Sequence, residues 1–253
     1  MLYIIGWITT ILFAIPFLMS LVIFHGIQVI TLNLFGYHAH KKTLDYLQAT
    51  ILGLLYITGF RLRINRWHEK LPTDRPLILV SNHQSIFDIP MILWALRRHH
   101  PKFVAKKELG RGIPSVSYHL RHGHNVLIDR KDKDQALQAI GGLGTYIEKY
   151  NRSAVIYPEG SRSRDGILRE FKINGVAKLL ETAPSALVVP LAIKNSWKIV
   201  RYGFKPIPFG TFCELNVLEP IDPKNLTPEE VMKIVEERIR ICLGQVQTQI
   251  TQS

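Results

Sequence analysis

The two residues in this chain whose types and spacing best suit proton transfer are His83 and Asp88. A neutral imidazole can take a proton from a hydroxyl group, and a carboxylate bonded to its other nitrogen fixes the tautomer that does so. Residues five apart on an ideal helix point about 140° away from each other. The two side chains can therefore meet only where a turn leads into a helix, and the segment Ser81–Asp88 (SNHQSIFD) follows an apolar run as such a turn would. We predict that His83 is a general base oriented by Asp88.

Two polar neighbours of this pair, Asn82 and Ser85, leave a second interpretation open. Asn and Ser are preferred at the position that begins a helix, so either residue could serve only as a helix cap, with His83 an ordinary polar loop residue. The same junction would carry free backbone amides, which can stabilise a negatively charged oxygen.

A second polar segment, Tyr157–Arg164 (YPEGSRSR), also follows an apolar run. Its Pro and Gly predict a tight loop. Arg162 offers a planar guanidinium that suits phosphate. We expect Glu159 to be the counter-ion of Arg162 or to bind substrate hydroxyls. The alternative is an exposed basic loop that is merely solvated.

Single cations follow two further strand-like runs, Lys106 after one and Arg130 after the other. Ligands of α/β sheets bind beyond the carboxyl ends of the strands, which makes both residues candidates for binding an anion. Cations after strands are common, so neither residue is informative by itself.

Several histidines invite a metal interpretation, but the patterns that support one are missing from the sequence. No HExxH motif, no Cys/His pairing and no carboxylate cluster accompanies His99, His100, His119, His122 and His124. We therefore predict no metal site. The two cysteines are far apart and without CxxC spacing, which argues against a disulfide framework.

The apolar runs around these segments alternate between strand-like and helix-like patterns. Strands are predicted at residues 76–81, 102–106, 125–129, 153–157, 186–193 and 212–218, and helices at 89–96, 132–150, 175–182 and 229–250. This alternation predicts a layered α/β fold with a mostly parallel or mixed sheet flanked by helices.

The N-terminal part of the chain has a different composition. Met1–Phe24 contains no charged residue, and a helix of that length would rise about 36 Å against a bilayer core of about 30 Å. It could cross the membrane, enter one leaflet or be a buried core helix. The shorter apolar stretch Tyr46–Phe60 is flanked by basic residues, which favours the membrane interface and a cytoplasmic location for the rest. We expect membrane-binding helices in residues 1–65 and a catalytic domain in residues 66–253.

The net charge of +12, from 32 basic and 20 acidic residues, favours a negatively charged binding partner. Nucleic acid, an anionic membrane face or anionic substrates could each account for it. The sequence has no recognisable nucleic-acid-binding motif. The uncharged N-terminus favours the membrane.

Several blocks, in this order, resemble the glycerolipid acyltransferase family, specifically the 1-acyl-sn-glycerol-3-phosphate acyltransferases. The matching residues are Asn82, His83, Ser85 and Asp88; Lys106–Leu109 with Pro114; Gly123 with Ile128–Arg130; Tyr157–Ser163; and Val189–Ala192. Tyr157 replaces a family Phe and Ser161 a family Thr, which keeps the ring and the hydroxyl. The resemblance covers roughly residues 75–195, nearly half of the chain.

The resemblance implies transfer of a fatty acyl group to the sn-2 hydroxyl of 1-acyl-sn-glycerol-3-phosphate (lysophosphatidic acid), giving phosphatidic acid for phospholipid biosynthesis. Acyl-CoA or acyl-carrier protein would be the co-substrate, with no bound cofactor, and the enzyme would act at the lipid bilayer. The acceptor phosphate would lie among Lys106, Arg130 and Arg162. Support for the acceptor or its loop would come from Glu159, Gly160, Ser161, Asn82 and Ser85. Glycerol-3-phosphate, a lyso-phospholipid or a lyso-amino-lipid stay open as acceptors, and so does a non-catalytic lipid-binding protein.

Direct acyl transfer is expected, because no serine or cysteine lies in a nucleophile motif such as GxSxG. In this mechanism His83 deprotonates the acceptor hydroxyl and the alkoxide attacks the thioester. Backbone amides near Gly160 are the candidate donors to the oxyanion.

Overall fold

A seven-stranded sheet forms the centre of the computed structural model, which describes residues 1–245. The strand order is β1-β7-β6-β2-β5-β3-β4. The strands are β1 Arg61–Ile64, β2 Leu77–Ser81, β3 Pro101–Lys106, β4 Val126–Ile128, β5 Ser153–Ile156, β6 Leu187–Lys194 and β7 Phe212–Val217. All neighbours pair in parallel except β6 and β7, which are antiparallel. The predicted mixed α/β sheet is confirmed.

Helices cover both faces of this sheet. They are α1 Leu2–Leu55, α2 Asp88–Ala95, α3 Val116–His122, α4 Lys133–Tyr150, α5 Asn174–Thr182 and α6 Pro228–Leu243. In the central strand β2, Leu77 and Leu79 pack with α1 and α2, whereas Ile78 and Val80 pack with α4, α5 and α6. Burial on both faces explains why the sequence of β2 is a continuous apolar run.

Helix α1 is broken at Gly36, whose φ of 73° and ψ of −167° are not helical. The hydroxyl of Thr43 donates to that of Thr31 over 3.3 Å. Residues twelve apart on an unbroken helix would be separated by about 18 Å. The two arms of α1 therefore fold back on each other as a helical hairpin.

The first arm of α1 contacts the rest of the protein along one side. The amide of Ile207 donates to the hydroxyl of Thr10 (2.9 Å), Phe13 lies edge-on to Phe87, and Gln28 donates to the hydroxyl of Ser115 (2.6 Å). The opposite side exposes a row of apolar residues: Leu2, Tyr3, Ile4, Trp7, Ile8, Ile11, Leu12, Ile15, Leu18, Met19, Val22 and Ile23. By length and composition alone, this helix could cross a membrane.

The second arm corrects one expectation. Leu47, Ile51, Leu52 and Leu55, within the stretch 46–60 assigned to the membrane interface, are buried in the core layer that covers the sheet. The interface prediction for this stretch is therefore wrong. A face that packs against a sheet and a face that meets lipid need the same apolar residues, so composition alone does not separate them.

Two elements were not predicted, β1 and α3. Arg61–Ile64 pairs with β7 at the sheet edge, so the sheet begins before the expected division at residue 65. Its two arginines are typical of an exposed edge strand. The other predicted elements occur with small shifts of their bounds, except the last helix, predicted at 229–250. Helix α6 ends at Leu243, where Gly244 takes a φ of 72°, and residues 246–250 lie outside the described part of the chain.

Candidate active site

His83 and Asp88 meet in the turn between β2 and α2, as their spacing predicts. Strand β2 ends at Ser81 and helix α2 begins at Asp88. The Nδ1 of His83 lies 2.8 Å from Oδ2 of Asp88. The imidazole is 15% exposed, so it can be reached from outside the protein.

The carboxylate of Asp88 is fully buried and accepts hydrogen bonds at both oxygens. Besides His83, the amides of Gln84 (2.7 Å) and Ser85 (2.9 Å) donate to Oδ2. The hydroxyls of Ser85 (3.3 Å) and Ser196 (2.5 Å) donate to Oδ1. These five donors replace the water that burial removes. An ionised carboxylate only accepts, so beside one Nδ1 of His83 would be the donor and Nε2 would present a lone pair.

Tyr157 forms one wall of the site. Its ring stacks on the imidazole of His83, with centroids 4.0 Å apart and an angle of 17° between the rings. The Tyr157 hydroxyl is buried and has no hydrogen-bond partner among the described residues. Burial, with a smaller contribution from the nearby Asp88 carboxylate, holds the pKa of Tyr157 well above its usual value. Its contribution to the site is therefore the ring rather than a proton.

Asn82 and Ser85 do not act as the simple helix caps of the alternative interpretation. The side chain of Asn82 donates to the carbonyl of Ile193 (2.9 Å) and accepts from the amide of the same residue (2.8 Å). This pair of bonds joins the end of β2 to β6 and fixes where the catalytic turn begins. The hydroxyl of Ser85 accepts from the amide of Phe87 (3.0 Å) while it donates to Asp88, so it braces the turn and the carboxylate together.

Glu159 supports the turn rather than pairing with Arg162. Its two oxygens accept from the backbone amides of His83 (2.6 Å) and Arg169 (3.0 Å). Burial raises the pKa of Glu159, and these two amides oppose the shift. The expected pairing is wrong because the carboxylate lies beneath the loop, whereas Arg162 is exposed.

The amide of Gly160 is already used within the loop. Gly160 has a φ of 68°, and its N–H donates to the carbonyl of Tyr157 (3.0 Å). It is therefore not free to bind an oxyanion, which corrects that expectation at this residue. The hydroxyl of Ser161 accepts from Arg169 (2.8 Å), and the amide of Ser163 donates to the carbonyl of His83 (2.8 Å). These bonds tie the loop to the catalytic turn.

The three candidate phosphate-binding cations follow neighbouring strands. Lys106 ends β3, Arg130 follows β4 and Arg162 follows β5, and these strands are adjacent in the sheet. Parallel strands bring their carboxyl ends to one edge, so all three lie on the edge that carries His83. Lys106 lies 3.3 Å from the carboxylate of Glu108, and Arg130 and Arg162 are exposed.

Sequence reasoning missed Ser196 and Arg169. Ser196 lies two residues beyond the end of β6, on the neighbour of β2, and donates to the catalytic carboxylate. Its place at the carboxyl end of a predicted strand was the available signal. Among the described residues there is no group of three or more His, Cys, Asp or Glu that could hold a metal ion.

Comparison with known proteins decides the family. The family model described as Acyltransferase matches residues 64–194, just over half of the chain. This chain belongs to the acyltransferase family. The predicted resemblance and the assignment as an acyltransferase are therefore confirmed.

Several similar proteins are named 1-acyl-sn-glycerol-3-phosphate acyltransferases. The 1-acyl-sn-glycerol-3-phosphate acyltransferase alpha of Ovis aries is 24% identical over 199 residues, which are 79% of this acyltransferase and 67% of the relative. The 1-acyl-sn-glycerol-3-phosphate acyltransferase of Helicobacter pylori is 31% identical over 155 residues, 60% of this chain and 62% of the relative. The chain thus spans about two thirds of the length of these relatives.

A solved structure agrees in fold over nearly the whole length. The crystal structure of the 1-acyl-sn-glycerophosphate (LPA) acyltransferase PlsC from Thermotoga maritima superposes with a TM-score of 0.80 at 26% identity. The match covers 98% of this acyltransferase and 99% of that chain, so it includes the helical hairpin.

Proposed function

We propose that this acyltransferase moves a fatty acyl group from a thioester, acyl-CoA or acyl-carrier protein, to the sn-2 hydroxyl of 1-acyl-sn-glycerol-3-phosphate. The observation that carries the proposal is the 2.8 Å bond between Nδ1 of His83 and a buried Asp88 carboxylate with four further donors. A general base for a hydroxyl needs this arrangement, since Nε2 is left to accept the proton. The names of the similar proteins support the choice of acceptor.

In the proposed reaction, Nε2 of His83 takes the proton of the acceptor hydroxyl as its oxygen attacks the thioester carbonyl. The new C–O bond forms, the C–S bond breaks, and the proton passes from His83 to the departing thiolate. The Asp88 carboxylate stabilises the imidazolium that exists between the two proton transfers. A base positioned in this way contributes about 10²–10⁴-fold to the rate.

The acceptor phosphate is assigned to the cations Lys106, Arg130 and Arg162. They follow three adjacent strands on the edge that carries His83, and exposed cations can be reached by a lipid headgroup. Arginine binds phosphate through two parallel hydrogen bonds, and lysine acts as a point charge.

Attachment to a membrane through the outer side of α1 follows from the same geometry. The first arm contacts the catalytic domain at Thr10, Phe13 and Gln28, and its other side is apolar and exposed. A helix held along its length by the domain would lie along the membrane surface beside the active site rather than stand across the bilayer. Acyl chains of both substrates could then stay in lipid during transfer. We assign the catalytic domain to the cytoplasmic face.

An acceptor panel tests the proposed function. Purified full-length protein in detergent is given one of two donors, oleoyl-CoA or oleoyl-acyl-carrier protein. Each donor is combined with 1-acyl-sn-glycerol-3-phosphate, glycerol-3-phosphate, a lyso-phospholipid or a lyso-amino-lipid. The thiol released from the donor is measured. We expect release with 1-acyl-sn-glycerol-3-phosphate alone. Release with another acceptor in preference would overturn the acceptor assignment, and no release with any would point to a lipid-binding protein.

Arg162→Ala tests the phosphate assignment. Since a phosphate contact is present in the ground state and the transition state alike, we expect a higher KM for the acceptor with little change in kcat. Arg164→Ala is the matched control, an exposed arginine two residues away on the same loop. Equal effects of the two variants, or a fall confined to kcat, would contradict the assignment.

A further inference from the structure

The catalytic edge of the sheet extends to both sides of His83, and the proposed acceptor cations occupy one side only. Strands β5, β3 and β4 lie on that side of β2. On the other side lie β6, β7 and β1. Because β7 is antiparallel to β6, its start at Phe212 returns to this edge, and Arg61 at the start of β1 pairs with it.

An open cleft of about 380 Å³ lies at this second half of the edge. Its lining residues are Asn195, Lys198, Arg201, Tyr202, Pro208, Phe209, Gly210, Thr211 and Phe212. The lining begins at Asn195, and the next residue, Ser196, donates to the carboxylate of Asp88. The cleft therefore lies beyond the end of β6, on the side of β2 away from the acceptor cations, and one residue along the chain from a donor to Asp88.

The cleft is positively charged. Lys198 and Arg201 are exposed, and neither makes an ion pair within the described part of the chain. The sequence has no Asp or Glu from residue 182 to residue 213. Two exposed cations without an ion-pair partner among the described residues are therefore available to an anionic ligand at this cleft.

Aromatic rings stand beside these cations. Tyr202 is 50% exposed, Phe209 42% and Phe212 39%. The guanidinium of Arg201 lies 5.5 Å from the centre of the Tyr202 ring. Cations bind phosphate groups, while exposed aromatic faces stack on nucleobases whatever their sequence. A ligand with both phosphates and a planar base fits this combination better than a phosphate alone.

We propose that this cleft binds the 3′-phospho-ADP end of acyl-CoA, with the acceptor phosphate on the opposite side of His83. The assignment rests on the proposed acyl transfer and names its donor. Two anionic substrates must meet at one imidazole, and separate groups of cations let both bind at once without competing for the same charges.

Binding of adenosine 3′,5′-bisphosphate to full-length protein in detergent, followed by calorimetry, tests the cleft without acceptor or acyl chain. We expect the double variant Lys198→Gln/Arg201→Gln to raise the Kd about tenfold or more, because charge-assisted bonds to phosphate are the stronger ones. The control is Lys224→Gln/Lys233→Gln, which removes the same number of positive charges at exposed positions. Lys224 precedes α6 and Lys233 lies on it, and α6 covers the face of the sheet opposite to α1. Its Kd should stay within about twofold of wild type. Absence of binding to the wild type, or equal binding by the double variant, would overturn the proposal.

Kinetics and vesicle binding separate the other ligands that a basic aromatic cleft could take. We expect the double variant to raise the KM for oleoyl-CoA and to leave unchanged the KM for the acceptor and the rate with S-oleoyl-pantetheine, which lacks the nucleotide. Loss of binding to phosphatidylcholine–phosphatidylglycerol vesicles with nucleotide affinity intact would make the cleft a membrane contact and overturn the proposal. Loss confined to oleoyl-acyl-carrier protein would overturn it in favour of a protein donor. A different preferred acceptor would revise the proposed function and leave the nucleotide measurement standing.

Discussion

Two buried titratable side chains lie at opposite edges of the same sheet, and they differ in the number of hydrogen bonds that they make. Asp88, beyond the carboxyl end of β2, is 0% exposed and accepts five hydrogen bonds. Lys102, near the amino end of β3, is 2% exposed, and its ammonium donates one hydrogen bond, to the hydroxyl of Tyr37 over 3.0 Å. The two side chains are almost equally buried, but Asp88 has five hydrogen-bond partners and the ammonium of Lys102 has one.

The difference shows that the depth of burial alone does not decide how far hydrogen bonds compensate a buried group for the water it has lost. At Asp88 the turn supplies backbone amides and hydroxyls to both oxygens, which compensates for the lost water. At Lys102, burial, together with the nearby charges of Arg152 and Lys41, lowers the pKa to about 7. The edge that carries His83 surrounds its buried carboxylate with donors, whereas the other edge leaves its buried lysine with one hydrogen bond and a lowered pKa.

His83→Ala should cause the largest change of those that probe this comparison. We expect kcat to fall about 10²–10⁴-fold because the base is lost. The thermal midpoint should change little, because the imidazole is partly exposed and water can replace it as a donor to Asp88. Thiol release and thermal unfolding in detergent measure the two quantities. His122→Ala, at an exposed position of α3, is the control and should keep activity. Substantial activity of His83→Ala would reject the base assignment.

Asp88→Asn should lower both activity and stability, which sets it apart from His83→Ala. The introduced NH₂ group cannot accept the hydrogen bonds that the carboxylate oxygen in its place accepts, at a fully buried position. We expect a loss of activity of similar size, and a lower thermal midpoint because a buried bonding group is left unsatisfied. A variant as stable as wild type would show that the five donors do not stabilise the fold.

Lys102→Met should stabilise the protein at pH 7, by about 1–4 kcal/mol, since the folded wild type must either bury an ammonium that has one hydrogen bond or release its proton. The pKa of Lys102 is about 7 when folded and about 10.4 when unfolded. Between these values the unfolded chain binds more protons, so the wild type gains stability as pH rises from 7 towards 10. The variant lacks this contribution. Denaturant unfolding at pH 7 and pH 9 measures the slope, and equal slopes would contradict the depressed pKa.

Ser196→Ala removes one of the five donors to Asp88 and should have a smaller effect. A hydrogen bond to a charged group contributes about 1.5–3 kcal/mol. We expect a loss of stability of that order and a modest fall in kcat, with the acceptor KM unchanged. Ser161→Ala, whose hydroxyl contacts Arg169 instead, is the control. Indistinguishable kcat values for the two variants would show that Ser196 does not position the carboxylate.

Tyr157→Phe should have the smallest effect. It removes a buried hydroxyl that has no partner among the described residues and keeps the ring that stacks on His83. We expect unchanged kcat and a gain in stability of up to about 1 kcal/mol. A clear loss of activity would mean that the hydroxyl contacts a substrate.

The sequence predicted that the side chains of His83 and Asp88 meet, because their geometry is local. His83 and Asp88 lie within one turn, so the strand-to-helix pattern was enough to bring them together. Ser196 bonds to Asp88 although the two residues are 108 positions apart in the sequence. The hydrophobic periodicity of a strand or helix does not predict contacts over that separation. The partners of Glu159 are backbone amides, which residue types do not reveal.

The N-terminal region shows a second limit of sequence reasoning. Leu47, Ile51, Leu52 and Leu55 are buried in the core layer on the sheet, whereas the apolar residues on the outer side of the first arm are exposed, although both stretches are apolar. Only the contacts distinguish them. Strand β1 was overlooked because four residues with two arginines form a pattern too short to recognise as a strand.

The break at Gly36 has a consequence for how the enzyme would select among lipids. Because the hairpin is fixed to the domain at Ile207, Phe87 and Ser115, the height of His83 above the outer side of α1 is set by internal packing and not by a flexible tether. With the outer side of α1 resting on a membrane as proposed, hydroxyl groups at different depths in a leaflet would be unequally accessible to the imidazole. Lipids would then be distinguished first by the depth of their hydroxyl group in the leaflet, and only afterwards by the chemistry of their headgroup.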